Sequence, residues 1–517
     1  MRYLTSLFLL TLIVLWSSCR NDFESDLSTG NLEFSTDTLF LDTVFSNIGS
    51  STYSFKVYNR TDNDLTIPSI GLELGSNSSY RLNVDGIPGK SFQNIQVLAK
   101  DSIFVFVETT TDITEQTTGL EFLYTDKILF DTSGNQQDVD LVTLVKDAVF
   151  LFPSRDQLTG QVETLSLGFD NENNEVRIQG FFLEDEELHF TNEKPYVIYG
   201  YAAIPDGKTL TIDPGARVHF HSGSGLIASK GSTLLVQGDL STDPELLENE
   251  VVFEGDRLEP DFSDIPGQWG TIWIAPESTG HSINYATIKN ATVGLLVETN
   301  DGTANPTLTI SNSQIYNSSN IGILANNANI VGENLVINNA GQASFRCILG
   351  GTYTFDHCTF ANYSSIGAFR EFPTMSLENS FQINESEIVV ADLNATFTNS
   401  IIYGDKDIEL LFGKNEDAAF NYTFKDCLIR FNDVNDEFEN NPLYDFSNTS
   451  LFDNVILNED PDFKDPQKNM LSIGEDSAAN GKASVSPVII DILGTTRSTS
   501  APDLGAYESM VFEEEKN

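Results

Sequence analysis

Between residues 254 and 273 the chain gathers the groups best suited to holding a polar polymer. Asp256, Arg257, Glu259, Asp261 and Asp264 precede Trp269 and Trp273, and the only other tryptophan is Trp16. An exposed indole offers a flat face for a sugar ring. Carboxylates beside it accept hydroxyl hydrogen bonds or, in pairs, hold calcium through oxygen. These seven residues form the candidate ligand site, with polysaccharide as the ligand class and calcium as the one cofactor the acids suit. The competing reading buries both indoles in a wide coil and lays the acidic loop over an edge. His219 and His221 stand two apart, as neighbours on one strand face do, and offer either a metal-binding pair or a polar face; the five histidines form no HExxH pattern. The acidic run Asp170-Asn171-Glu172-Asn173-Asn174-Glu175 lacks the glycine and spacing of an EF-hand loop and reads as a solvated hairpin turn.

Such groups need a rigid frame, and the frame shows as a repeat. From 282 to 431 one short phrase returns, for example Tyr285-Ala286-Thr287-Ile288-Lys289-Asn290 and Asn312-Ser313-Gln314-Ile315-Tyr316-Asn317. Its apolar anchors are Ile288, Ile315, Ile337, Phe360, Ile402 and Ile429, at steps of 27, 22, 23, 42 and 27. The step of 42 reads as two coils, so the period is 21–27, which signals a solenoid. Each unit alternates apolar and polar residues over four to six positions, with many Ile, Val, Phe and Thr, so the units are strands. The position two before each anchor (Ala286, Ser313, Leu335, Cys358, Ser400, Cys427) is mostly small, as a crowded interior demands. Asn290, Asn317, Asn339 and Asn362 close four repeats; asparagine tolerates left-handed backbone, and its amide can bond the coil above. Gly-apolar pairs follow at Gly294-Leu295, Gly322-Ile323 and Gly367-Ala368.

This pattern resembles the right-handed parallel β-helix, or pectin-lyase-like, superfamily. The resemblance implies a fold and leaves the activity open. Lyases of this fold use Lys or Arg as base, often with calcium; Lys289, Arg346, Arg370 and Lys406 are the candidates it implies here. The helix is expected to start near Tyr196 and run to 431. Residues 149–195 form a connector and N-terminal cap, and 432–517 hold the last coils and a closing cap. The segment 458–508, ending in Gly505-Ala506-Tyr507-Glu508, resembles the closing segment of extracellular β-helix proteins. A protruding loop is expected within 372–387. Ahead of the helix, 32–148 carries strand candidates about ten residues apart, the spacing of a β-sandwich. Its phrase from Ser50 to Arg60 resembles Ig-like domains of the abnormal-spindle/hydin type, which implies a spacer. The fold class expected is all-β: an N-terminal Ig-like β-sandwich, then a right-handed parallel β-helix with a C-terminal cap.

Residues 1–18 have the form of a secretory signal: Arg2, an apolar run from Leu7 to Trp16, then Ser17-Ser18-Cys19. The placement of Cys19 resembles a bacterial lipobox, with Trp16 where the pattern usually has Leu. The acidic tether over 19–31 resembles the surface-export signal of Bacteroidetes lipoproteins. The implied location is the outer membrane, anchored through a lipid on Cys19 and exposed at the cell surface. Formal net charge is −48, which repels phosphate backbones and excludes nucleic acid as partner. Cys347, Cys358 and Cys427 are expected as buried thiols. Three functions stay open: polysaccharide binding without catalysis, a polysaccharide lyase or glycoside hydrolase, and a structural or adhesive envelope protein.

Overall fold

The structure is a computed structural model. It describes residues 25–115, 119–131, 135–170, 173–278, 280–363, 370–384 and 387–512. Cys19 and the signal lie outside the described residues, as do Asn171, Glu172, Gly367 and Ala368. The chain divides into two compact units, Met1–Asp147 and Ala148–Asn517.

Unit 1 is a β-sandwich. One sheet is built on Leu65–Leu72, Glu121–Phe130, Gln137–Lys146 and Thr38–Phe45, and the other on Tyr53–Tyr58, Ser102–Thr109 and Tyr80–Val84. Alternation decides the faces: Ile67, Ile128 and Leu141 from the first sheet and Val57, Leu82 and Val105 from the second share one buried core. Inside it the Tyr80 hydroxyl donates to the Tyr124 carbonyl (3.0 Å) and the Tyr124 hydroxyl accepts from Ser79 N (2.7 Å), so both buried phenols are hydrogen-bonded.

Unit 2 is a parallel β-helix of three ladders. Ladder one runs from Val149–Leu151 through Arg217–Phe220, Val251–Gly255 and Ala286–Lys289 to Ile456–Leu457; ladder two runs from His189–Phe190 to Phe452–Asp453; ladder three runs from Glu175–Phe182 to Leu410–Gly413. The anchors pair rung to rung in ladder one: Ile288 with Ile315, Ile315 with Ile337, Ile337 with Phe360, Phe360 with Ile402, and Ile402 with Ile429. All of them, and the smaller column from Ala286 to Cys427, are fully buried. The three cysteines are free and buried, and burial pushes their thiols up, to about 11 for Cys347 and about 12 for Cys427.

Asparagine closes the corners. Asn290, Asn317 and Asn339 have φ of 66°, 54° and 56°, where an Asn side chain costs less than most. Their amides climb from coil to coil: Asn339 Nδ2 donates to Asn317 Oδ1 (2.7 Å) and Asn317 Nδ2 to Asn290 Oδ1 (3.3 Å). A second column, Asn334 to Asn312 (2.9 Å) and Asn312 to Asn284 (3.0 Å), does the same where ladder two turns into ladder one.

Three expectations are corrected. Coils begin at Val149–Leu151, which pairs in parallel with Tyr196–Ile198, so ladder one precedes the expected start at Tyr196. The 42-residue step is one coil: Phe360 pairs directly with Ile402, and the insert folds on itself as a hairpin, Ser380–Asn384 with Glu387–Val390. The segment 458–508 is no end cap. It lies along the outward face of ladder one, where Val336, Ala361, Ile401 and Leu428 meet Leu471, Ile473, Leu504, Ala506 and Tyr507. The face is apolar here and needs a cover. Arg497 fastens it, donating to Asn334 Oδ1 (2.8 Å) and to the Gly505 carbonyl (3.1 Å). The open end is filled instead by Phe431, Phe438, Tyr444, Phe446 and Phe452.

Candidate functional site

The loop expected to hold ligand is closed. Trp269 is 1% exposed, stacks on Phe220 (centroids 4.3 Å apart) and donates through Nε1 to the Lys289 carbonyl (2.9 Å). It is core, packed inside the coil with Phe220, Phe253 and Ile288. Trp273 is half-buried in a side cluster with Leu165, Tyr201 and Ile227, and its Nε1 donates to Glu298 Oε2 (2.8 Å). The acids have partners too. Asp256 is buried and accepts from His221 Nδ1 (2.7 Å); Glu259 is buried against Arg257 (2.8 Å), whose guanidinium also covers the Phe262 ring (4.1 Å). Asp264 Oδ1 accepts from Asn317 Nδ2 (3.2 Å), and Ser263 O accepts from Asn290 Nδ2 (2.9 Å), so the corner asparagines tie the loop down. Asp264 is nonetheless exposed, as is Asp261 on the loop's short helical turn, Pro260–Phe262.

The histidine pair is split. Burial lowers His219, which holds the Gly255 carbonyl through Nδ1 (3.1 Å), whereas the hydrogen bond to Asp256 raises half-exposed His221, whose ring stacks on Tyr199 (4.5 Å). Next to them burial opposes the charge on Glu254; His219 and Lys289 (2.9 Å) outweigh it and hold the carboxyl low. No group of three or more His, Cys, Asp or Glu side chains is arranged to hold a metal among the described residues.

The other basic candidates separate. Lys289 is in this closed corner, and Arg346 lies on ladder three, paired with Glu378 (3.0 Å) beneath the Phe372 ring (4.0 Å). Arg370 and Lys406 come together at the opposite end of the helix. Glu409, fully buried, takes two bonds from Arg370 (2.6 and 2.8 Å), one from Thr374 N (2.7 Å) and one from Lys406 N (2.8 Å). Beside this knot a cleft of about 540 Å³ is lined by Glu371, Asp405, Lys406, Asp407, Asp433, Glu437 and Phe438. A second cleft of about 710 Å³ shares Asp433 and Phe438 with the first and is walled by Phe431, Tyr444 and Phe446.

The polar groups of the first cleft differ in how far they are engaged. Asp433 accepts from the backbone of Glu437 (2.9 Å) and Phe438 (2.8 Å) and so shapes the loop; Asp405 and Asp407 hold Arg370 (2.5 Å) and Arg430 (3.1 Å). The exposed carboxylates of Glu371 and Glu437 make no hydrogen bond or close ion pair among the described residues, and they line the cleft. Lys406 Nζ donates to the Glu371 carbonyl (3.1 Å); burial and the nearby Arg370 lower its pKa. Unsatisfied acceptors, one amine and a shared aromatic wall can hold a hydroxyl-rich chain. In the sequence this end reads only as a fading, acidic 432–448, and its clefts come from coils far apart in the chain.

No protein-family model matches the chain, and no curated protein matches it. Solved structures give small likenesses. A family 123 glycoside hydrolase from Clostridium perfringens matches at 9% identity and TM-score 0.16, over 22% of this chain and 23% of that one. The periplasmic chaperone SfaE matches at 13% and 0.14, over 23% of this chain and 57% of its own. The catalytic unit of the GH87 alpha-1,3-glucanase from Streptomyces thermodiastaticus strain HF3-3 matches at 11% and 0.28, over 73% of each chain. Likenesses of this size assign no activity.

Proposed function

We propose that this is a lipid-anchored surface protein that binds neutral polysaccharide, without catalysis, in the paired clefts at the C-terminal end of the β-helix. The observation that carries the reading is the wall shared by the two clefts. Asp433 and Phe438 belong to both, so one groove offers free carboxylates at one end and aromatic rings at the other. Carboxylates accept hydroxyl hydrogen bonds and rings stack on the C–H faces of sugars. The net charge of −48 works against anionic polymers. The long outward face of ladder one is no alternative, since 458–512 covers it from Val336 to Leu428. The test is a glycan array with and without calcium, run on the full chain and on Glu371→Gln/Glu437→Gln. Binding to neutral glycans that survives unchanged in the double variant would move the site elsewhere.

The anchor rests on the sequence: an apolar core ending at Ser17-Ser18-Cys19 predicts an acylated cysteine, and several acyl chains hold a protein stably on a membrane. Mass spectrometry of the mature N-terminus checks it, and a Cys19→Ser variant that stays fully membrane-bound would contradict it.

A polysaccharide lyase or glycoside hydrolase is the second reading. The observation that favours it is Lys406, a basic candidate that lines the first cleft. Release of new reducing ends from a polysaccharide, lost in Lys406→Ala, would replace the binding reading.

A further inference from the structure

We propose that the outer face of unit 1 carries a second saccharide platform, formed by Phe104 and Phe106 with Lys56, that receives an uncharged sugar ring. The proposal rests on the glycan reading above but uses a different surface. Along Ser102–Thr109 the alternation sends Ile103, Val105 and Val107 into the core and Phe104 and Phe106 outward. The two rings stay 43% and 38% exposed and form an offset stack, centroids 5.7 Å apart and planes 20° apart. Lys56 is the cross-strand partner of Phe104 and holds its ammonium 4.8 Å from that ring's centroid; Ser54 is the partner of Phe106.

Outward positions on a solvated strand are ordinarily polar, and here they carry an exposed aromatic stack with the hydrogen-bond donors Lys56 and Ser54 beside it. Size and charge choose the occupant. Two rings at this exposure open less than about 200 Å² on the scale of an aromatic side chain, against roughly 800 Å² per partner in a stable protein interface. A second copy would also bring its own net charge of −48 against this one, and the same field disfavours an anionic polymer. A neutral sugar ring suits this stack: its C–H face packs on the open side of the ring pair while its hydroxyls turn to Lys56 Nζ and Ser54 Oγ.

Affinity electrophoresis of the full chain through gels holding a soluble neutral β-glucan, with alginate as the anionic control, tests this. Phe104→Ala/Phe106→Ala removes only exposed rings, so an unchanged melt of unit 1 verifies its fold. On a background of Glu371→Gln/Glu437→Gln, which weakens the helix clefts, the parent platform should still be retarded by the glucan. The double alanine variant should raise the dissociation constant at least tenfold and Lys56→Ala severalfold. Retardation unchanged by the double variant overturns the proposal and leaves the cleft reading standing. Stronger retardation by alginate, lost with the rings, or a dimer in ultracentrifugation that the variant dissolves, overturns it by naming another occupant. A parent chain that no glycan retards removes the glycan reading and the platform with it.

Discussion

Two loops of the β-helix leave ladder one with the same composition and end in opposite states. Residues 256–268 and 432–446 are both acidic, both carry aromatic residues at their roots, and both follow a strand of that ladder. The first is closed: its tryptophan is core, Asp256, Glu259 and Asp264 are bonded within the protein, and Asn290 and Asn317 of the following coils hold its backbone and Asp264. The second leaves Glu371 and Glu437 without a hydrogen bond or close ion pair among the described residues, beside two clefts. Position explains the difference. At 256–268 further coils stack above and supply the asparagine column. At 432–446 only the short rungs Phe452–Asp453 and Ile456–Leu457 remain, so the loop turns its rings into the open end of the core and its acids outward. Composition alone does not make a binding loop in a solenoid; what stacks on the loop decides.

The largest test of the comparison is Trp269→Ala. A fully packed indole truncated to alanine costs roughly 3–5 kcal/mol, so the melt of unit 2 should fall by many degrees while glycan binding per folded molecule and the melt of unit 1 stay put. Lost binding with an unmoved melt would reopen the first loop as the site. Arg370→Ala should be comparably destabilising, since it leaves fully buried Glu409 without its cation, a loss of roughly 3–5 kcal/mol. Unlike the tryptophan variant it should weaken glycan binding as well, because it releases Asp405, which lines the cleft.

Acid should loosen the coils next. Burial lowers His281 to about 4; its Nδ1 accepts from Leu234 N (2.9 Å), and its Nε2 has no partner among the described residues. His357, covered by 458–512, is lowered to about 3, again chiefly by burial. The unfolded chain takes up these protons near pH 6.5 and the folded chain only near 4 or 3. The stability is therefore full above pH 6.5 and is lost as pH falls toward 4, by roughly 3 kcal/mol for His281 alone. Denaturant midpoints of unit 2 measured from pH 7.5 to 4.5 check this, and His281→Gln should flatten the slope. Buried Glu250, Asp356 and Asp491, raised by burial, pull the other way, so the decisive comparison is the slope: one that His281→Gln leaves unchanged would show that this imidazole does not take up the proton.

The repeat was legible because a column of Ile anchors is local information: each coil must fill the same interior, so Ile288, Ile315 and Ile337 announce their register without help from the rest of the chain. The asparagine corners were legible for the same reason. The 42-residue step misled because a hairpin insertion and an extra coil lengthen a sequence alike. The role of 458–508 was hidden because Leu471, Ile492 and Tyr507 look the same whether they close an end or cover a side. The candidate site failed at Trp269 since Gln268-Trp269-Gly270 does not say on which side of the strand the indole falls. The C-terminal clefts join residue 371 to 437 across coils, and no spacing in the sequence carries that.

The smallest effect sharpens the comparison most. Asp261 and Glu437 are both exposed acids on corner loops of ladder one, and neither has a side-chain partner among the described residues. Replacing either with its amide should leave the melt within about 0.5 kcal/mol, as surface changes do. They should part in binding. Asp261→Asn touches a loop whose neighbours are all engaged, so affinity for a neutral glycan should not change. Glu437→Gln exchanges a charged acceptor for a neutral one beside Phe438, and a charge-assisted hydrogen bond exceeds a neutral one by about 1 kcal/mol, so affinity should fall about fivefold. Equal losses in both variants would mean that the acids act through the general field of the chain, and raising the salt to 0.5 M would then erase both; a loss specific to Glu437 that persists in salt places the contact in the cleft.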